Sequence, residues 1–126
     1  MLKIGDKFLF EENLLNRQTC LMFFKEYNSV SWSVDIGFKN GNFGDEILAP
    51  AICINPINTD KNSIEDLVGE IFRVATVEEC DDREDTFYLY ESEPMVSYEL
   101  EVLEIKDSRA HVRCNGILIV DGYSVP

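Results

Sequence analysis

Six carboxylates fall within eight residues at Glu78-Glu79-Cys80-Asp81-Asp82-Arg83-Glu84-Asp85, the densest group of ionisable side chains in the chain. Such a run could chelate a cation, but a calcium loop needs alternating ligands and a glycine for its sharp turn, and no glycine lies between Gly69 and Gly116. Paired carboxylates hydrolyse glycosidic bonds only when two face each other across a cleft with separated pKa values, and the spacing singles out no such pair. Nucleophilic catalysis by Ser or Cys requires an imidazole base. The single histidine, His111, alternates with Arg109 and Arg113, so its neighbours on a strand face would be cations and not an orienting carboxylate. It is expected on the surface, paired across a hairpin with Glu104. Cys20, Cys53, Cys80 and Cys114 lie about thirty residues apart with no CxxC spacing, which disfavours zinc. Gly37, Gly41 and Gly44 fit no phosphate-binding spacing and read as turn glycines. The expectation is a protein that is not an enzyme and holds no metal or cofactor.

The carboxylates then point to binding. The formal charge is −13, from 24 acidic and 11 basic residues. Residues 60–107 hold 16 acids against Lys61, Arg73, Arg83 and Lys106, a net of −12, and the remaining 78 residues are close to neutral at −1. A field of that sign repels nucleic-acid phosphates and anionic lipid and attracts cationic surfaces at rates that fall with salt. Direct nucleic-acid binding and membrane binding are disfavoured. Tyr88 and Tyr90 alternate with Phe87 and Leu89, so one pair should face inward and the other outward, and two outward tyrosines directly after the carboxylates would suit an interface, where Tyr is enriched. The candidate partner-binding residues are Glu78, Glu79, Asp81, Asp82, Glu84, Asp85, Tyr88, Tyr90, Glu91, Glu93, Glu99 and Glu101. Trp32 lies on the apolar side of its strand and is assigned to the core.

These side chains require a scaffold, and 126 residues with 45% hydrophobic content suffice for a single domain over residues 1–126. The start Met1-Leu2-Lys3-Ile4-Gly5-Asp6-Lys7 has no secretory character and no apolar stretch would span a membrane. A cytoplasmic location with buried free thiols is the expectation. From Val30 to Phe38 apolar residues alternate with Ser31, Ser33, Asp35 and Gly37, predicting a half-buried strand, and Asn40-Gly41 then predicts a hairpin turn that returns Phe43 beside it. Thr19 to Tyr27 reads as a central strand. Ile47 to Ile54 reads as an edge or bulged strand, because Pro50 cannot donate to a ladder. Ser63-Ile64-Glu65-Asp66 approximates a capping box and predicts one short helix near 63–68, closed by Gly69. Further strands are expected over 70–77, 86–91, 97–106, 109–114 and 117–120. Within 97–106 the apolar phase slips from Tyr98, Leu100 and Val102 to Leu103 and Ile105, predicting a β-bulge near Val102-Leu103 and a turn at Asp107-Ser108. The fold class is mainly β, an antiparallel sheet curled into a sandwich or open barrel. A sheet carrying one packed helix is the alternative.

A small acidic single domain, with its charge interleaved with aromatics and a C-terminal stretch from Arg109 to Tyr123 that has the look of a closing hairpin, resembles the immunity proteins of bacterial contact-dependent growth inhibition and related polymorphic toxin systems. The resemblance is one of general character over the whole chain, and no functional residue is carried over from it. It implies a cytoplasmic toxin inhibitor whose partner is a basic protein, a nuclease toxin domain, covered at its active site or nucleic-acid surface. Two other readings stand beside it. One is a nucleic-acid-mimicking phage anti-defence protein, with carboxylates spaced like phosphates. The other is a carboxylate-based hydrolase or ligand-binding β-barrel, with two or more acids in an internal cavity. The oligomeric state is left open.

Overall fold

A computed structural model describes residues 1–14 and 19–120. The chain forms β1 (Leu2–Ile4), β2 (Phe8–Phe10), β3 (Cys20–Glu26), β4 (Ser29–Gly37), β5 (Gly41–Phe43), β6 (Glu46–Leu48), β7 (Ala51–Asn58), β8 (Ile71–Val74), α1 (Val77–Arg83), β9 (Thr86–Tyr88), β10 (Ser92–Pro94), β11 (Ser97–Lys106) and β12 (Arg109–Ile117). Every strand pairing among the described residues is antiparallel. One sheet has five strands in the order β10-β9-β7-β4-β3, a second has three in the order β12-β11-β8, and β1-β2 and β5-β6 form separate hairpins. The fold is mainly β and sandwich-like, and its sheets do not close into a barrel.

The alternation seen in the sequence fixes which side chains face inward. Trp32 and Val34 of β4, Ile52, Ile54 and Ile57 of β7 and Phe87 of β9 join Val74 of β8 and Tyr98, Leu100 and Val102 of β11 in a single core cluster. Burying each such side chain is worth about 1.5–3 kcal/mol, which is why the period-2 pattern holds each strand in register. The predicted slip in β11 is present. Val102 pairs with Val112 and Glu104 with His111, leaving Leu103 as the extra residue, and Asp107-Ser108 makes the turn with both residues at positive φ.

Several local expectations are corrected by tertiary context. The strand over 19–27 is an edge and not a central strand, because β4 pairs with β7 on its other side. The segment 47–54 divides at Pro50. Its second part enters β7, which is interior to the sheet and bulged at Asn55-Pro56, where two residues stand against Ser33 between the pairs Trp32–Ile57 and Val34–Ile54. A bulge is where a proline without an N–H can sit inside a sheet. Asn40-Gly41 is no turn. Gly41 begins β5 against Phe10, whose ring a Cβ would meet at 2.6 Å, and the turn falls at Gly44 with φ of +63°. The helix near 63–68 is a single 3₁₀ turn, Glu65–Leu67, with no side-chain cap. Nor is there a hairpin break after Cys114. Arg109–Ile117 is one continuous strand, in which Gly116 passes so close to Ser97 that a Cβ would collide with its carbonyl oxygen. Residues 118–120 are not a strand, and Asp121, Gly122 and Tyr123 lie outside the described residues.

Candidate functional site

The acidic run forms a helix, α1, and the sequence explains why. Thr76 is the N-cap in extended conformation, and its hydroxyl accepts from the Glu79 amide at 3.2 Å and donates to the Glu79 carboxylate at 3.3 Å. Thr76-Val77-Glu78-Glu79 is therefore the productive helix-start signal, with Glu78 and Glu79 in the first turn where the helix dipole favours acids. The helix ends as Glu84 turns left-handed at φ of 60°, its amide bonding to Asp81. Cys80 is buried and anchors the inner side, and burial with the nearby Asp85 and Glu79 carboxylates pushes its thiol pKa up.

Asp85, one of the candidate surface acids, is fully buried and so is withdrawn from that surface. Its Oδ1 accepts from the Asn55 amide at 2.8 Å, and its Oδ2 accepts from Arg83 Nε at 2.7 Å and the Tyr98 hydroxyl at 2.5 Å. Arg83 also donates to the carbonyls of Asn55 at 2.6 Å and Pro56 at 3.2 Å, while the Asn55 side-chain amide donates to the carbonyls of Arg83 and Glu84. The bulge in β7 leaves backbone groups without ladder partners, and this junction satisfies them. Burial pulls the Arg83 pKa down, but the Asp85 carboxylate outweighs it and holds the guanidinium above its usual value. Burial first, and then the bond to Asp85, raise the Tyr98 phenol well above the ordinary range. The signals for this junction were Arg83, the one base in the acidic run, and Asn55-Pro56, the break in an apolar strand.

Glu99 and Glu101 also leave the acidic surface, for a different reason. They project from the outer face of β11, where Arg73 Nε meets Glu99 at 2.7 Å and an Arg113 amino group meets Glu101 at 2.5 Å. Further along the same two strands Glu104 pairs with His111 and Lys106 with Arg109, so this face is electrically mixed. His111 is exposed opposite Glu104, as the sequence predicts.

What remains together is α1 and the hairpin that follows it. Glu78, Glu79, Asp81, Asp82 and Glu84 are exposed, and among the described residues no ion pair engages their carboxylates. Tyr88 and Tyr90 are 46% and 41% exposed while Phe87 and Leu89 are buried, which is the alternation expected. Tyr88 lies on the outer sheet face in register with Ala51 and Ser92, and Tyr90 packs edge-on against Phe43 with ring centroids 6.2 Å apart. Glu91 is exposed in the connecting bend, Glu93 is half-buried in β10, and α1 packs against β10.

The four thiols are free. Burial, with the hydrogen-bonded Asp35 adding to it, lifts Cys53 to about 12, and burial alone lifts Cys114 to about 11. Both are poor nucleophiles at neutral pH. Among the described residues no group of three or more His, Cys, Asp or Glu side chains is placed to hold a metal ion. No described helix is long and apolar enough to cross a membrane. No protein-family model, curated protein or solved structure matches the chain.

Proposed function

We propose that this chain is a binding protein that captures a basic protein partner through α1 and the β9–β10 hairpin, and that it acts as an immunity protein blocking a cognate nuclease toxin. The observation that carries this reading is the placement of uncompensated carboxylates against local stability. Glu78 repels Asp81 and Asp82 at helical spacings of three and four. Asp81, Asp82 and Glu84 crowd the C-terminal end, where the helix dipole disfavours acids, and Glu84 holds a left-handed position that glycine prefers. Charge retained at such sites fits electrostatic steering toward a cationic surface, with Tyr88 and Tyr90 alongside as apolar anchors. The core supports a binder over a carboxylate hydrolase. Among the described residues it holds one buried carboxylate, Asp85, which is engaged by Arg83, Asn55 and Tyr98.

The test is capture at low salt with the native chain and with a variant carrying Glu78→Gln, Asp81→Asn, Asp82→Asn and Glu84→Gln, which spares the cap at Glu79 and the junction at Asp85. The native chain should retain a basic protein whose association rate falls steeply with salt, and the variant should associate at least tenfold more slowly. Expressing the captured protein should arrest growth, with relief on co-expression of this chain. Equal capture by both baits removes the site. Retention of a harmless basic protein leaves the binding surface but removes the immunity role.

A further inference from the structure

The two main sheets present four edges, and three of them are guarded. Strand β10 has three residues including Pro94, which cannot donate a ladder bond. Strand β8 has four, with the exposed Arg73 among them. Strand β12 is long but carries exposed Arg109, His111 and Arg113 on one face, so pairing two copies of it would set like charges opposite each other. Strand β3 is the exception. It runs seven residues, Cys20-Leu21-Met22-Phe23-Phe24-Lys25-Glu26, with no proline or glycine, and pairs with β4 on one side only. Among the described residues no further backbone hydrogen bond reaches residues 20–25 from its free side. Its solvent-side residues include Met22, 38% exposed, and Phe24, while Leu21 and Phe23 pack against the core.

We propose that β3 is the interface of a homodimer, in which a second copy adds its own β3 antiparallel across a two-fold axis to make one continuous ten-stranded sheet. The sequence is self-complementary in one register. With Phe23 opposite Phe23 of the second copy, Met22 lies opposite Phe24 twice on the outer face, where sulfur–aromatic contact is favourable, and all seven residues are paired. Shifting by one residue would set core-facing against solvent-facing side chains. A shift of two in one direction leaves Cys20 and Leu21 beyond the paired strands, and in the other leaves Lys25 and Glu26 beyond them. Charge selects the same edge. Residues outside 60–107 sum to only −1, and Lys25 and Glu26 cancel within β3 itself. The acidic helix of each copy leads into β9, and seven strand spacings separate the two β9 strands, roughly 34 Å against a Debye length of about 8 Å. Two molecules of charge −13 can therefore meet here without opposing their acidic surfaces.

The experiment is light scattering after size exclusion of the full chain over roughly 5–200 µM. The native chain should reach twice its 14.5 kDa mass, the double variant Met22→Lys, Phe24→Lys should stay monomeric with an unchanged circular dichroism spectrum, and Arg109→Ala on β12 should still dimerise. A native monomer throughout that range overturns the proposal, as does a folded double variant that still dimerises or a dimer lost in Arg109→Ala. Hydrogen exchange on the native chain decides independently of any variant. Outward β3 amides should slow as concentration rises, and concentration-independent exchange there overturns the pairing.

Discussion

Helix α1 and the outer face of β11 come from the same acid-rich third of the sequence, yet the fold treats their carboxylates in opposite ways. On β11 each glutamate at positions 99 and 101 meets an arginine from a neighbouring strand, and the face ends nearly balanced. On α1 and its C-cap residue Glu84 five carboxylates face solvent and none is ion-paired among the described residues, while Arg83, the base within the run, is turned inward to Asp85. Clustering in sequence therefore does not define an acidic surface. Which strands or helices bring cations alongside does.

Breaking the one inward pair gives the largest expected effect. Asp85→Ala leaves Arg83, the Asn55 backbone amide and the Tyr98 hydroxyl without their buried acceptor and should lower unfolding stability by about 3–5 kcal/mol, read from the urea midpoint at unchanged slope. A loss as small as that of an exposed acid would erase the distinction between Asp85 and its neighbours. Next, Tyr98→Phe should cost about 1–3 kcal/mol by removing the bond to Asp85. Its phenol is raised above the ordinary value of 10.0 in the folded chain. Above that pH the unfolded chain loses the proton and the native chain keeps it, so the stabilisation is complete below pH 10 and is lost as pH rises beyond it. Thermal midpoints measured from pH 8 to 11 should fall in the native protein and fall less in Tyr98→Phe, with the raised thiols Cys53, Cys80 and Cys114 contributing in the same sense. On α1 the sign reverses: Asp81→Asn or Asp82→Asn should stabilise by about 0.3–1 kcal/mol each by relieving the C-terminal dipole. A measurable loss there would show those acids to be structural. Smallest, Glu99→Gln or Glu101→Gln should cost about 0.2–1 kcal/mol, an effect that should shrink in high salt.

The β11–β12 hairpin was legible down to its bulge, because the period-2 pattern and its slip are local and one face is buried. The inward sides of β4 and β9 were legible for the same reason. The capping signal points to a helix at 63–68 and the helix lies at 77–83, since both segments carry a hydroxyl followed three residues later by an acid. What separates them is tertiary: Cys80 finds a buried site and Arg83 a partner, whereas Gly69 ends the first segment after one turn. The centre and edge of the five-stranded sheet were exchanged because apolar content marks β3 and β7 alike, and a proline in β7 is tolerated only through contacts supplied by residues 83–85. Burial of Asp85, and pairing of Glu99 with Arg73 26 positions away, depend on partners no local pattern names.

The junction at the β7 bulge also bears on how long the native state lasts. Asp85 reaches back thirty positions to Asn55 and forward thirteen to Tyr98. The β3–β4 and β11–β12 hairpins, by contrast, close over short turns. Contacts that close long loops form late on the way to the folded chain, and contacts absent from the transition state govern unfolding more than folding. A single carboxylate held between three segments thus acts on the lifetime of the assembled molecule, setting how rarely it opens and leaving the speed of its formation to the hairpins.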